Sequence, residues 1–415
     1  MGVLTLLGTG CHADGHGGTV HALGCDASLP DLPVADADSV ANPVVLRPPF
    51  PREAVDHTVT YASWRGWGPK GGDRAVLKRH GALVRLETWY IGSRREFEAD
   101  HETSYANIAT GGSIEVRTDS TGALSGVTLW RNGSADVAKY RHSAQRTGVA
   151  ESIQGERCQV WEGGHESSEV AYSACITSDG IVLRDTVHYR DGDVMEEQRA
   201  VKVERRSVDL SEVIPPRDAL DWAHWSEFHD PAPAPAATTA RPENYQLLLA
   251  SKDDGSTQAG GTTLYRAAGG WTAKEECGHA GDRSLQLAAS DANLTYFGER
   301  EGRVQLSLSR RRPRSSAVPG PWPTKPLSMP AAQVLGETCT WVDAAVGVHD
   351  YNRNECRTRD NLPLIVTESS WGSSSGRMEA IALSRGRTPD RSLLPPAWLM
   401  DWAYWGWPEL ASRQR

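Results

Sequence analysis

The feature that most limits what this chain can fold into is that it is written twice. Ile214-Pro215-Pro216, running on to Asp221-Trp222-Ala223-His224-Trp225, matches Leu394-Pro395-Pro396, running on to Asp401-Trp402-Ala403-Tyr404-Trp405, at an offset of 180 residues. Gly155-Glu156-Arg157-Cys158 matches Gly336-Glu337-Thr338-Cys339 at an offset of 181, and Cys175-Ile176-Thr177-Ser178-Asp179 matches Cys356-Arg357-Thr358-Arg359-Asp360 at the same offset. Ala106-Asn107-Ile108 against Ala292-Asn293-Leu294 gives a further match at offset 186, with loop insertions accounting for the drift. Matches in one order at a near-constant offset are the signature of an internal repeat. A chain of 415 residues is also too long for one ordinary core and fits two. Residues 230–242 alternate Pro and Ala, which favours an extended, semi-stiff spacer. The chain therefore divides into a polar, disordered N-terminal tether (1–49), copy one (50–229), the linker (230–242) and copy two (243–408).

Each copy reads as strands. Val84, Leu86, Thr88 and Tyr90 alternate with Arg85, Glu87 and Trp89, the period of two expected of a sheet with one wet face. Asp119 to Gly122 separates two such runs, and Tyr189 to Asp193 separates two more; both are hairpin turns. Consecutive hairpins give antiparallel pairing rather than βαβ units. Each copy closes with a Pro-Pro step and aromatic residues at helical spacing, Ala219, Trp222 and Trp225 in one and Leu399, Trp402 and Trp405 in the other. A short helix or aromatic turn is expected there. Its tryptophans either close the core or line a ligand groove.

Cys158 and Cys175 are 17 residues apart, and so are Cys339 and Cys356. Zinc sites use short Cys pairs, so two isolated pairs of equal span read as two local disulfides and an oxidising compartment. Each would stabilise its copy by roughly 3 kcal/mol. The N-terminal run ending at Cys11 is short and apolar. It resembles the end of a bacterial lipoprotein signal, which makes Cys11 a candidate for lipidation. The histidines that follow Cys11 sit in a Gly-rich stretch with no element to hold metal ligands. No metal and no cofactor is expected, and membrane contact is expected only through the N-terminal anchor.

Chemistry-bearing patterns are sparse. Gly372-Ser373-Ser374-Ser375-Gly376 matches a nucleophile-elbow string but falls between two strands, as a hairpin loop would. Histidines do not recur between copies; His224 is matched by Tyr404. Asp221 and Asp401 do recur, just before Trp, which suits a backbone hydrogen bond better than catalysis. The net charge of −9 gives no basic face for nucleic acid, and the Arg310–Arg314 run reads as a solvated strand end. The chain is therefore expected not to be an enzyme.

The order of a β-meander, the Gly155-Glu156-Arg157-Cys158 and Gly336-Glu337-Thr338-Cys339 strings with their partner cysteines, a hairpin and a terminal helical piece resembles bacterial envelope proteins of DUF4412-like type. More distantly it resembles the LolA/LppX class of lipoprotein carriers. That resemblance implies a mainly β fold of two tandem curved antiparallel sheets (incomplete barrels), each with a short terminal helix. It implies a periplasmic or outer-envelope protein that holds a lipid or acylated protein against the sheet. The lining candidates are Trp89, Trp130, Trp161, Trp222, Trp225, Trp341, Trp371, Trp402 and Trp405. The alternative is an envelope-tethered protein–protein interaction module whose two solid cores act together through avidity.

Overall fold

The computed structural model describes residues 53–65, 73–89, 101–118, 122–131, 145–164, 170–189, 191–226, 244–251, 261–268, 271–277, 283–288, 292–298, 304–310, 324–346, 351–370, 376–386 and 395–411. The expected tether, Cys11 and the linker lie outside these residues, as does Trp371. Copy one supplies β1 (His57–Arg65), β2 (Asp73–His80), β3 (Leu83–Trp89), β4 (His101–Asn107), β5 (Gly112–Thr118), β6 (Leu124–Arg131), β7 (Gln145–Ile153), β8 (Glu156–Gly164), β9 (Val170–Ile176), β10 (Val182–Tyr189) and β11 (Val194–Glu204). Copy two supplies β12 (Tyr245–Ser251), β13 (Thr262–Ala268), β14 (Trp271–Cys277), β15 (Arg283–Ala288), β16 (Ala292–Gly298), β17 (Val304–Arg310), β18 (Lys325–Pro326), β19 (Ala332–Val334), β20 (Glu337–Asp343), β21 (Tyr351–Arg357), β22 (Pro363–Ser370) and β23 (Gly376–Arg385). The fold is mainly β, and every pairing among these strands is antiparallel. The strands on either side of the two expected turns pair, and the turn glycines Gly122 and Gly192 take φ 82° and 95°, where only glycine sits without strain.

In copy one the hydrogen-bonded order is β7-β8-β9-β10-β11-β1-β2-β3-β4-β5-β6. In copy two, β20-β21-β22-β23-β12-β13-β14-β15-β16-β17 repeats it, with β18 and β19 flanking β20. The two sheets expected in tandem are joined into one. β6 pairs with β17, Val127 opposite Leu308, Thr128 opposite Ser307 and Leu129 opposite Leu306. The physical reason is that an open edge strand leaves a row of backbone donors and acceptors unpaired, and here each copy satisfies the other's. The pairing maps onto itself when the copies are exchanged. A local two-fold axis passes between Thr128 and Ser307, whose hydroxyl oxygens are 3.0 Å apart.

The strand order also corrects one sequence match. Ala106 and Asn107 end the fourth strand of copy one, whereas Ala292 and Asn293 open the fifth strand of copy two. The equivalent of Leu294 is Ile114, at the same offset of 180 seen in the Pro-Pro segments, and both are fully buried.

Three large cores form among the described residues, and they alternate faces. Residues directly opposite on adjacent strands share a face. One row runs Val59, Leu77, Leu86, Ser104, Glu115, Thr128, Ser307, Thr295. It is apolar in the wing and polar at the centre. The row on the other face runs Arg85, Tyr105, Ile114, Leu129, Leu306, Tyr296, Leu285. It is polar in the wing and apolar at the centre. Each wing thus buries one face around its own disulfide: Val59, Leu77 and Val84 with Cys158 and Cys175, and Leu247, Leu249 and Trp341 with Cys339 and Cys356. The centre buries the opposite face under the aromatic segments of both copies.

Those segments take the expected form. Copy one has a 3-10 turn at Arg217–Leu220 and a short helix, α1 (Trp222–Ser226); copy two has a 3-10 turn at Ala397–Met400 and, after a run of turns, α2 (Pro408–Ala411). Asp221 and Asp401 accept from the Ala223 and Ala403 backbone N–H at 3.0 and 2.9 Å. The Trp225 indole donates to Ala219 O at 3.1 Å and the Trp405 indole to Leu399 O at 2.8 Å. Both segments also cross between copies. α1 touches β17, and the Gly406 carbonyl accepts from Thr110 Oγ1 and Asn107 Nδ2 of copy one at 2.7 and 3.0 Å. This approach needs Gly112, because a Cβ there would lie 2.2 Å from Trp405 O.

The two copies are therefore one folding unit. In a chain carrying Cys277→Ala, so that only the two local bridges remain among the described cysteines, cleavage at a protease site placed within residues 230–242 should leave both halves in a single size-exclusion peak. Two half-size peaks would contradict the joined sheet.

Candidate functional site

The residues that recur most completely lie at the disulfide end of each wing. Cys158–Cys175 and Cys339–Cys356 are both bridged, as their spacing predicts, and all four cysteines are buried. Cys277 is disulfide-bonded as well. Stable bridges of this kind belong to an oxidising, extracytoplasmic compartment.

Each bridge is preceded by a tight hairpin turn with two residues at positive φ, Gln154 and Gly155 (52° and 78°) in copy one and Leu335 and Gly336 (55° and 78°) in copy two. The glutamate that follows the glycine is gripped by an arginine at the end of the last strand. Arg205 donates to Glu156 at 2.7 and 2.6 Å and to Asp179 Oδ2 at 2.6 Å. Arg385 donates to both oxygens of Glu337 and, at 2.7 Å, to Asp360 Oδ2. The aspartates are held in turn by the loop after the second cysteine. Thr177 and Thr358 donate to Asp179 and Asp360 and accept from the Ile181 and Leu362 N–H at 2.8 and 3.0 Å. Hydrogen bonds from Arg385, with help from Thr358, hold the Asp360 carboxyl down at about 2. Arg205 lowers Asp179 and Glu156 in the same way, and each arginine is raised by its two carboxylates.

The two loops differ in sequence and in their described neighbours. In copy one Val55 N–H donates to Asp179 O at 3.3 Å. A Cβ on Gly180, at φ 85°, would sit 2.3 Å from Glu53 O, so residues 53–55 lie directly on the loop. In copy two the position of Gly180 is taken by Asn361, at φ 68°. Its side chain accepts from Arg357 at 2.9 Å. Here a hollow of about 490 Å³ is lined by Glu337, Thr338, Thr358, Arg359, Asp360 and Arg385.

The eight tryptophan candidates among the described residues fall in separate places. Trp225, Trp402 and Trp405, at 1%, 0% and 0% exposure, are sealed in the central core, joined there by Trp407, with Trp222 packed against them. Trp341 is buried in the copy-two wing. Trp161 packs against Ala174, Ile176 and Val182. Trp89 is half-buried and stacks on His101 at 5.1 Å. Trp130 is half-buried on the polar central face, opposite Ser113. On that face Glu115 is pushed up to about 7 by burial, reinforced by Glu102 and opposed by Arg117. No group of three or more His, Cys, Asp or Glu positioned for a metal is present among the described residues.

Sequence reasoning missed Arg205, Arg385 and Trp407. The signal was available for the arginines, because they recur at an offset of 180, beside carboxylates that recur at nearly the same one.

No family model matches the chain, so the DUF4412-like resemblance rests on its short motifs, and no curated protein matches either. Among solved structures the chain is similar to an uncharacterized conserved protein from Thermus thermophilus, at 12% identity over 40% of this chain and 90% of that one, with a TM-score of 0.27. It is also similar to MucB in complex with MucA(peri), at 10% identity over 63% and 90%, TM-score 0.25. A putative outer membrane lipoprotein-sorting protein domain from Vibrio parahaemolyticus matches at 10% identity over 38% and 89%, TM-score 0.17.

The arginine clamp makes a pH-dependent contribution to stability. Asp360 has a carboxyl depressed below its unfolded value. The contribution is complete above about pH 4, and it is lost as the pH falls through about 2. Since Arg385 and its partners are about one-third exposed, solvent screening reduces the gain to about 1 kcal/mol. Arg385→Met should lower stability by that amount at pH 7 and by clearly less at pH 2, where folded Asp360 is half protonated, read by urea unfolding at the two pH values. An equal loss at both would mean that the arginine acts only through packing.

Proposed function

We propose that this chain is a non-enzymatic, extracytoplasmic binding protein that recognises another protein through its surface. The observation that carries this reading is the sealed aromatic centre. Trp225, Trp402, Trp405 and Trp407 fill the space over the joined sheet themselves, each removing roughly 150–250 Å² from water, worth about 5 kcal/mol before the cost of ordering it. A ligand would have to displace that packing to use the space. Recognition then falls to rigid features at the surface, of which the clamped disulfide ends are the best ordered. In this reading the cell envelope of a bacterium is the setting, with Cys11 as the lipid attachment point.

A second reading keeps a lipid or acylated protein as the ligand. It is supported by the half-buried Trp89, Trp130 and Trp161, which remain outside the central core. The two readings separate in one titration. Delipidated chain mixed with a fluorescent fatty acid should show no saturable change in tryptophan emission, and native mass spectrometry should find no lipid mass on the purified protein. Saturable uptake at one or two molecules per chain would overturn the protein-binding reading in favour of the carrier.

A further inference from the structure

Cys158 bridges Cys175, Cys339 bridges Cys356, and Cys277 is also in a disulfide. The sequence holds only two other cysteines, Cys11 and Cys25, so one of them is the partner of Cys277 within the chain. That bridge ties the N-terminal region to copy two, whereas Glu53, further along the chain, lies against the Gly180 loop of copy one.

The outer face beside Cys277 is apolar and sealed. Leu247 and Leu249 are in the core of the copy-two wing, so Leu248 between them is on the outer face. Leu264 stands opposite Leu248, and Glu275 opposite Leu264. Cys277 is two residues beyond Glu275 in β14 and therefore on that same face. Leu248 and Leu264 are 2% and 5% exposed, yet neither belongs to any of the three large cores. A one-residue slip in register, shared by both copies, identifies Thr60 and Val76 as their copy-one equivalents, and both of these are half-buried. Lys202, beside Thr60, is replaced by Ala382, beside Leu248. Glu275 is buried and shared by Arg266 at 3.2 Å and Arg283 at 2.6 Å, which leaves one positive charge in excess.

The segment after Cys25 complements this face. Cys25-Asp26-Ala27-Ser28-Leu29-Pro30-Asp31-Leu32 sets two leucines and two aspartates close to the bridge, and no Lys or Arg occurs between Cys11 and Leu46. Leu264 is one strand across and two residues along from Cys277, roughly 8 Å away, which a few extended residues span. We infer that Cys277 is bridged to Cys25 and that residues 25–32 dock on the outer face of the copy-two sheet, with Leu29 and Leu32 over Leu264 and Leu248 and the aspartates facing Arg266 and Arg283. A lipid-bearing sulfur is a thioether and cannot also bridge, so the choice of Cys25 rests on the reading of Cys11 as the lipid attachment point. Closing the bridge removes two protons and two electrons from the two thiols, and a protein disulfide of the oxidising compartment accepts them by exchange.

The staple decides where the membrane anchor is leashed. Cys11 is 14 residues from Cys25 but 42 from Glu53, so the bridge holds the lipid to copy two on a tether of at most about 50 Å instead of about 150 Å to copy one. The 28 residues from Cys25 to Glu53 extend to about 95 Å, ample for the 11 strand steps from β14 to β10, which cover roughly 53 Å of sheet.

The test is non-reducing peptide mapping by mass spectrometry of the full-length chain exported to an oxidising compartment, followed by hydroxyl-radical footprinting. A linked peptide pair carrying Cys25 and Cys277 is expected, with Cys11 outside any bridge. A pair joining Cys11 to Cys277, or Cys277 as a free thiol, overturns the inference; the protein-binding reading survives that result, because the fatty-acid titration decides it. In a chain carrying Cys25→Ser, Leu29→Asp and Leu32→Asp, oxidation of Leu248 and Leu264 should rise at least threefold while Leu306 in the central core stays protected. Should Leu306 become exposed as well, Cys25→Ser alone takes the place of that chain in the same comparison. Unchanged protection of Leu248 and Leu264 means that another segment seals them, and the docking is overturned.

Discussion

Everything in this molecule depends on the pairing of β6 with β17. Each copy, taken alone, would present its sixth strand as a long apolar edge, with Val127 and Leu129 in one and Leu306 and Leu308 in the other, all at 0–1% exposure in the joined structure. An edge of that composition is a template for aggregation. Pairing the two edges removes the hazard and creates a central face wide enough to need its own cover. The aromatic segments supply it, and they do so reciprocally, each reaching strands or turns of the other copy. The outer edges are managed differently. β7 carries a wide irregularity at residues 147–149, with Gly148 at φ 82°, and at the other end β18 and β19 are two and three residues long. Short or bulged strands resist further pairing.

The local two-fold at Thr128 and Ser307 gives the chain the geometry of a closed symmetric dimer written on one polypeptide. Duplication of that kind frees the copies to differ wherever the joint is not involved. The clamps kept their Glu, Asp, Arg and Thr in both halves. The surfaces beside them did not stay alike: Gly180 became Asn361, Ser178 became Arg359 and Gln154 became Leu335 across the equivalence. A frame held fixed under a surface that varies is how a duplicated scaffold can carry a single binding site.

Much of the fold could be read in the sequence where the determinants were local. The hairpins followed from Gly122 and Gly192, the bridges from equal Cys spacings, and the terminal aromatic turns from Pro-Pro steps and Trp spacing. Asp221 and Asp401 behave as backbone acceptors, which their place before Trp indicated. The joint could not be read. Val127-Thr128-Leu129 and Leu306-Ser307-Leu308 look like any alternating strand, and nothing local says that they face each other across 179 residues. The alternation of faces was hidden for the same reason, because a row that turns from Leu86 to Ser104 and Glu115 is visible only once the register is known. Of the candidate site, the glutamates and aspartates stood in the repeat matches, but their partner arginines sit outside any motif. The tryptophans drew attention by their number, and composition cannot say whether an aromatic residue fills a core or lines a hollow.

The central claim is that the two copies unfold as one body through the joined strands. Amide hydrogen exchange measured residue by residue on the full-length chain tests it most directly. The slowest amides should be those of β6 and β17, exchanging at the rate set by global unfolding and rising together with those of the wings as denaturant is added. If β6 and β17 instead exchange far faster than β2 or β13, through an opening that leaves both wings intact, the copies are independent domains in casual contact and the account is wrong.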